Sequence, residues 1–189
     1  MAAHSLSYTS RKPNFGAGKK PIPGWINLDV VPLEGVDVIH DVFHFPYPFE
    51  SHWFDYILCS HVLEHVPQII GQRDGLLQVM AELHRILEPG GTIEVRGPHP
   101  RAGIHYFNNP THYRVITEWT FDGMVERSDG HDSCIAFWSN ARFRKMVVRN
   151  ETFTDPPFDS GLLKSAMRRV PPLQKLLGRP AELVIFLTK

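Results

Sequence analysis

The first residues with potential chemistry form a glycine turn at residues 14–18. Gly16 and Gly18 flank one small residue, Ala17, and follow Asn14 and Phe15. Glycine accepts positive φ angles and lets a bound molecule approach the backbone closely. Glycine pairs ahead of strands also occur in plain turns, so this motif alone does not establish a binding site.

The order of the following residues favours a binding site at one edge of a parallel sheet. Three predicted strands end in turn at Asp29-Val30, at Asp41-Val42 and at Ser60-His61. In an open α/β sheet, ligands bind outside the carboxyl ends of the strands, where side chains and backbone groups converge. We therefore expect these residues and the glycine turn to line one ligand site.

The segment His61-Val62-Leu63-Glu64-His65 also matches a zinc-hydrolase pattern. In that pattern two histidines on one helix face hold the metal and the glutamate acts as general base. The pattern requires a helix already formed at His61, whereas the apolar run before it predicts a strand that reaches Ser60. No third ligand is evident from the spacing. A zinc hydrolase through His61, Glu64 and His65 is kept as a remote alternative, and no metal ligand is predicted.

Two further histidines, His99 and His112, are candidate catalytic residues. They lie in residues 97–140, which are rich in His, Pro, Asn and aromatic residues and too long for a simple connection. We predict that this segment is a substrate-side insertion. Histidine titrates near neutral pH and therefore suits general base catalysis. The alternative is structural: His112 hydrogen-bonds its own loop, and Arg114 pairs with an acid such as Glu118.

The elements that would position these residues follow an α/β pattern. Strands are predicted at residues 25–31, 36–42 and 54–60 from their apolar and alternating runs. The first two strands are so close in the sequence that no helix fits between them. Either an extended crossover connects them as parallel strands, or they form an antiparallel pair. We favour the crossover, since six residues can span about 20 Å.

The second half predicts one amphipathic helix and three strands. Apolar residues recur at helical spacing from Leu76 to Leu87, and Pro89-Gly90-Gly91 ends the helix before a strand that starts at Thr92. Residues 142–154 and 182–188 predict two final strands. Between them, residues 162–177 predict a basic helical region that is interrupted by proline.

The composition fits one folded domain, residues 1–189. Hydrophobic residues make up 42% and charged residues 21% of the chain, which excludes a disordered chain or a fibrous repeat. Twenty basic residues balance twenty acidic residues, so no net charge favours nucleic acid. Cys59 and Cys134 form no metal or disulfide pattern, and no run fits a signal peptide or a membrane span. We predict a cytoplasmic protein.

Five segments together carry a resemblance to a known superfamily. They are residues 14–18, 24–29, 54–57, 61–65 and 83–91. Spaced in this order, they resemble the successive motifs of the class I S-adenosylmethionine-dependent methyltransferases over roughly residues 13–98. The spaced set is far more specific than any one of its members.

The resemblance implies a three-layer, Rossmann-like sheet of seven strands with the last strand antiparallel. It implies S-adenosylmethionine as cofactor, with its methionine part on the glycine turn, its ribose hydroxyls on Asp29 and its adenine amine facing Asp41. Ser60 and His61 would line the pocket, and His65 would start a helix. Residues 98–100 and 109–114 would overhang the methyl group, where His112 or His99 would remove a proton from the substrate.

Asp29 lies eleven positions after Gly18, whereas the acidic residue of a dinucleotide-binding unit lies about twenty positions after its glycine motif. Helices of the first half are therefore predicted to be shortened or missing, which disfavours NAD, because a pyrophosphate needs a helix N-terminus. The same shortening leaves open a catalytically inactive, methyltransferase-like binding module. The substrate class is left as a small molecule, a sugar or a lipid, and the oligomeric state is open. No stable membrane insertion is expected, although the basic run from Lys164 to Arg179 allows surface docking.

Overall fold

A seven-stranded sheet organises the computed structural model, which describes residues 10–100, 108–126, 139–152 and 180–189. The sheet order is β3-β2-β1-β4-β7-β9-β8, and only β9 runs antiparallel to its neighbours. The predicted seven-stranded sheet with an antiparallel last strand is confirmed. The strands are β1 Pro13–Phe15, β2 Ile26–Asp29, β3 Val38–Ile39, β4 Phe54–Ser60, β7 Leu87–Pro98, β8 Lys145–Thr152 and β9 Pro180–Thr188, with β5 Ile69–Ile70 and β6 Arg73–Asp74 as a separate hairpin.

The first half of the sheet is built without helices. Residues 16–25 and 30–37 connect β1, β2 and β3 through turns, and all three strands are parallel. The predicted extended crossover between β2 and β3 is thus confirmed, although both strands are shorter than predicted. The buried amide of Asn27 bonds to the backbone N–H and C=O of Ile22, at 2.7 and 3.1 Å, and so fixes the first connection in place of a helix.

The helix α1, Gly75–Ile86, packs one apolar face against the sheet. Asp74 caps its first turn by accepting a hydrogen bond from the backbone N–H of Leu77 at 3.0 Å. The helix ends at Ile86, earlier than predicted, and Leu87 already belongs to β7. Proline restricts the residue before it to extended conformations, so the chain leaves the helix ahead of Pro89. The buried face consists of Leu76, Val79, Met80, Leu83 and Ile86.

Aromatic side chains fill the core beside β1 and β4. Phe15 lies 5.4 Å from Tyr47 between ring centroids, and Phe49 lies 4.9 Å from Phe54. Tyr47 and Phe49 come from the loop after β3. This loop therefore covers the part of the sheet that has no helix in its connections. All four rings are buried.

Several predictions concern residues outside the described ranges. These are part of the insertion at residues 97–140 and the basic helical region at residues 162–177. No helix in the described part of the chain has the length and apolar character needed to cross a membrane.

Candidate functional site

The glycine turn is tied directly to the carboxylate at the end of β2. The backbone N–H of Gly18 donates to Asp29 Oδ2 at 2.8 Å, and that of Val31 donates to Asp29 Oδ1 at 2.9 Å. Gly16 and Gly18 have φ angles of +69° and +53°, a region in which residues with a Cβ are strained. The turn therefore depends on glycine at both positions, and Asp29 fixes its shape.

Gly16 also brings the turn against the end of β4. A Cβ at this position would lie 2.5 Å from Val62 Cγ2 and 3.8 Å from the carbonyl oxygen of Ser60. The predicted site residues at the ends of β1, β2 and β4 thus meet at one edge of the sheet. This edge is formed by the carboxyl ends of the parallel strands. This is the edge at which an open α/β sheet binds its ligands.

Asp41 and its neighbours extend this edge beyond β3. The backbone N–H of His40 donates to the carbonyl of Asp29 at 2.9 Å, which places Asp41 next to the end of β2. Asp41 accepts hydrogen bonds from Phe43 N–H and from His44 Nδ1, both at 2.9 Å. Val30 is 58% exposed although apolar, and Val42 is half-buried. An exposed apolar side chain at an edge that also carries two carboxylates suits a ligand that has an apolar face and polar groups.

Three predicted cofactor residues have buried side chains. Phe15 packs in the aromatic core, Asn14 donates from Nδ2 to Asn27 Oδ1 at 3.1 Å, and Ala17 is 4% exposed. Because these side chains are buried, they support the turn from the core, and only the backbone groups of the three residues remain to contact a ligand.

His61 occupies a left-handed conformation at the end of β4, with φ +55°. Its Nδ1 lies 3.2 Å from Glu64 Oε1 and its Nε2 lies 3.0 Å from Glu182 Oε1. The Glu64 carboxylate, followed by Glu182, raises the pKa of His61 above its ordinary value, against the opposing effect of burial. His61 therefore links β4 to the start of β9 at the same edge.

The histidine and glutamate segment is not arranged as a helical zinc motif. The only regular structure within residues 61–65 is a one-turn 3-10 helix, Leu63–His65. His61 lies before this turn in a left-handed conformation, so His61 and His65 do not share a helix face. The expectation that His65 starts a helix was also wrong, because His65 ends the turn. The extended run of β4 up to Ser60 leaves no residues for an earlier helix start.

The described part of the insertion packs against this turn. The backbone N–H groups of Tyr113 and Arg114 donate to the carbonyl of Glu64, at 2.9 and 3.2 Å. The guanidinium of Arg114 donates to three backbone carbonyls of residues 66–68 and to Asp74 Oδ2 at 3.0 Å. Arg114 thus pairs with an acid, as the structural alternative expects, but that acid is Asp74, which lies earlier in the chain than the example Glu118.

The two candidate catalytic histidines have different surroundings. His99 follows β7 and is 6% exposed, whereas His112 is half-buried and its ring meets that of His65 edge to face, with centroids 4.8 Å apart. Glu64, His65 and His112 form a group in which one ligand atom of each lies within 4.8 Å of the others. This group was not predicted, because nothing in the spacing of residues 65 and 112 indicates their contact.

An open cleft of about 1090 Å³ lies elsewhere, against α1 and the 3-10 helix Glu118–Met124. Its lining includes Arg73, Leu77, Arg114 and Met124. None of the predicted cofactor residues is among its lining residues. The cleft is therefore separate from the strand-end site.

Comparisons with known proteins agree with this arrangement. Residues 28–95 match the methyltransferase domain family. A comparison with curated proteins gave no match.

Solved structures with the same fold are distant in sequence. A methyltransferase from Archaeoglobus fulgidus, described as SAM-dependent, has 14% identity and a TM-score of 0.60, over 96% of this chain and 87% of that one. A possible histamine N-methyltransferase from Thermotoga maritima has 17% identity and a TM-score of 0.54, over 97% and 84%.

A third structure is larger than this chain. Phosphoethanolamine N-methyltransferase 2 of Haemonchus contortus, solved in complex with S-adenosyl-L-methionine, has 14% identity and a TM-score of 0.54, over 95% of this chain. This chain spans 48% of that protein. The match of residues 28–95 and the shared sheet confirm the resemblance: this chain has the fold of the class I S-adenosylmethionine-dependent methyltransferases.

Proposed function

We propose that this chain binds S-adenosylmethionine at the carboxyl ends of β1 to β4 and transfers its methyl group to a small-molecule, sugar or lipid substrate. The observation that carries the proposal is the bond between Gly18 N–H and Asp29 Oδ2, at 2.8 Å. It joins a positive-φ glycine turn to a strand-end carboxylate, at the edge where this fold binds ligands. The match of residues 28–95 to the methyltransferase domain family supports the same assignment.

Each part of this cofactor has suitable partners among the residues of the site. The glycine turn offers backbone groups to the methionine part, and Asp29 offers carboxylate oxygens to the ribose hydroxyls. The half-exposed side chain of Val30 offers apolar surface to the adenine ring, and Asp41 accepts from its amine. Ser60 and His61 close the site from the end of β4.

S-adenosylmethionine supplies a methyl carbon bound to a positively charged sulfur, which is already a good electrophile. The protein therefore contributes mainly by holding a nucleophilic atom of the substrate in line with that carbon. A hydroxyl group, or an amine that binds as ammonium, must give up a proton to a base in order to attack the methyl carbon. His112 and His99 are the proposed bases, and His112 is the more accessible of the two.

A binding module without turnover is the second candidate. The observation that favours it is the helix-free first half, in which the connections at residues 16–25 and 30–37 consist of turns. Such a module would bind the cofactor and its demethylated product, yet would transfer no methyl group to any member of a broad substrate panel. The predicted cytoplasmic location is part of the proposal for either candidate.

The test is calorimetric titration with S-adenosylmethionine and S-adenosylhomocysteine, on the natural chain and on Asp29→Asn. Asparagine keeps one acceptor oxygen but removes the charge, and hydrogen bonds to charged groups are worth about 1.5–3 kcal/mol. We expect binding by the natural chain and binding about 10- to 100-fold weaker in the variant.

Asp37→Asn is the matched control. Asp37 Oδ2 accepts the backbone N–H of Asn27 at 2.7 Å, but Asp37 precedes β3 and thus lies at the opposite edge of the sheet from the end of β2. Its variant should bind both ligands with unchanged affinity. Absence of binding by the folded natural chain would refute the proposal, and equal weakening in both variants would remove Asp29 from the site.

A further inference from the structure

We propose that Glu64, His65 and His112 form a binding site for a divalent transition-metal ion. One ligand atom of each residue lies within 4.8 Å of the other two, so modest adjustment of the side chains would bring all three onto one ion. Two of the residues come from the turn after β4, and the third comes from the insertion that packs on it.

The carboxylate of Glu64 is the strongest indication. The residue is fully buried, and neither of its oxygens receives a hydrogen bond of good geometry from the described residues. Oε1 has an ionic contact with His61 Nδ1 at 3.2 Å. Burying an ionised carboxylate is costly unless its charge is neutralised and its lone pairs are occupied. A bound cation would do both.

His65 has the hydrogen bonds that are typical of a metal-binding histidine. Its Nδ1 lies 3.1 Å from the carbonyl oxygen of Thr111 and 2.9 Å from Thr111 Oγ1. A proton on Nδ1 that bonds to this carbonyl places the lone pair of the ring on Nε2. Histidines that bind metals are commonly held in this way, by donation from the second ring nitrogen to a backbone carbonyl or a carboxylate.

Backbone hydrogen bonds hold the segment that carries His112, both at His112 and at the two residues after it. Its own backbone N–H donates to the carbonyl of Asn109 at 3.1 Å. The next two residues, Tyr113 and Arg114, donate to the carbonyl of Glu64. The two residues that follow the third ligand are thus bonded to the backbone carbonyl of the first, so the backbone positions that carry the three side chains are set before any ion binds.

The donor set indicates which ions would bind. Two imidazole nitrogens and one carboxylate oxygen are a common ligand set for Zn²⁺, Co²⁺ and Fe²⁺. Three protein ligands leave at least one coordination position for water or for an oxygen of another molecule. The set is poor for Mg²⁺ and Ca²⁺, which prefer oxygen ligands only.

The test is metal titration of untagged protein that has been treated with a chelator and dialysed. Calorimetry with Zn²⁺ and visible absorption with Co²⁺ should show saturable binding at one ion per chain, and Zn²⁺ should raise the melting temperature. Glu64→Gln, His65→Asn and His112→Ala should each weaken the affinity at least tenfold. In His65→Asn the amide nitrogen can still donate to Thr111. Weaker metal binding by this variant would therefore report the lost ligand and not a displaced His112 segment.

The control is His52→Asn. His52 precedes β4 at the opposite edge of the sheet and has φ +59°, a conformation that asparagine tolerates. This variant should bind Zn²⁺ and Co²⁺ as the natural chain does. No saturable binding by the natural chain, or equal binding by the natural chain and the Glu64→Gln and His65→Asn variants, would overturn the proposal. Methyl transfer enters none of these readouts, so a failed metal site and a failed cofactor site are distinguishable.

Discussion

Replacing Gly16 by alanine would place a methyl group where the glycine turn meets the end of β4. The added Cβ would lie 2.5 Å from Val62 Cγ2, whereas unstrained carbon atoms approach each other to about 3.5–4.0 Å. The φ angle of +69° adds backbone strain to this steric overlap. Val62 is buried in the core and cannot move aside freely.

The two effects can be given separate magnitudes. A residue with a Cβ in the left-handed region costs roughly 1–2 kcal/mol. Forcing an extra methyl group into a packed site costs typically about 1–3 kcal/mol. We therefore expect Gly16→Ala to lower the free energy of unfolding by about 2–5 kcal/mol, and to weaken cofactor binding because the turn must shift.

Gly90→Ala is the control that separates strain from overlap. Gly90 has φ +84°, and a Cβ there would meet no atom within 4 Å. Its variant should lose only the strain component, about 1–2 kcal/mol. Urea denaturation, followed by tryptophan fluorescence and circular dichroism, gives both free energies on one scale.

A double-mutant cycle with Val62→Ala isolates the overlap. Truncating Val62 removes the clashing methyl group, so Gly16→Ala should cost less in the Val62→Ala background, by about 1–3 kcal/mol. Gly16→Ala would then have to destabilise the chain more than Gly90→Ala does. Equal destabilisation by these two variants, or additive effects of Gly16→Ala and Val62→Ala, would contradict a steric overlap between Gly16 and Val62.

Two further predictions concern side chains that hold the fold together. Burial, assisted by the charge of Lys189, lowers the pKa of His84 from 6.5 to about 4. As the pH falls, His84 is therefore protonated in the unfolded chain before it is protonated in the folded one. The contribution of His84 to the free energy of unfolding thus declines from pH 6.5 towards pH 4. His84→Gln should flatten that decline in urea denaturation at pH 7 and 5, and an unchanged decline would contradict the assignment. Arg114→Lys should cost about 2 kcal/mol or more, because an ammonium group cannot reach three carbonyls of residues 66–68 and Asp74 together. An unfolding free energy equal to that of the natural chain would show that these bonds add nothing.

Local patterns were enough to predict six of the seven strands of the sheet and the helix α1, whereas no local pattern indicated β1, Pro13–Phe15. The apolar run of β4, the helical spacing of α1 and the two final strands are each visible within a short window, and the structure confirms them. The short distance from Gly18 to Asp29 was enough to predict missing helices in the first half. Element ends were less predictable, since Leu87 fits both the helical spacing and the strand that it begins.

The sequence by itself determined six strands of the sheet, the glycine turn and the strand-end carboxylates, because each depends on residues close together in the chain. The antiparallel pairing of β7 with β9 joins segments far apart in the chain, and the antiparallel last strand was expected only from the resemblance. Only the tertiary structure decided what the insertion contacts. Arg114 reaches Asp74 across 40 positions, and His112 meets His65 although no periodic pattern connects them. A loop without periodicity folds according to the surface that receives it, so its partners are set by packing and not by spacing.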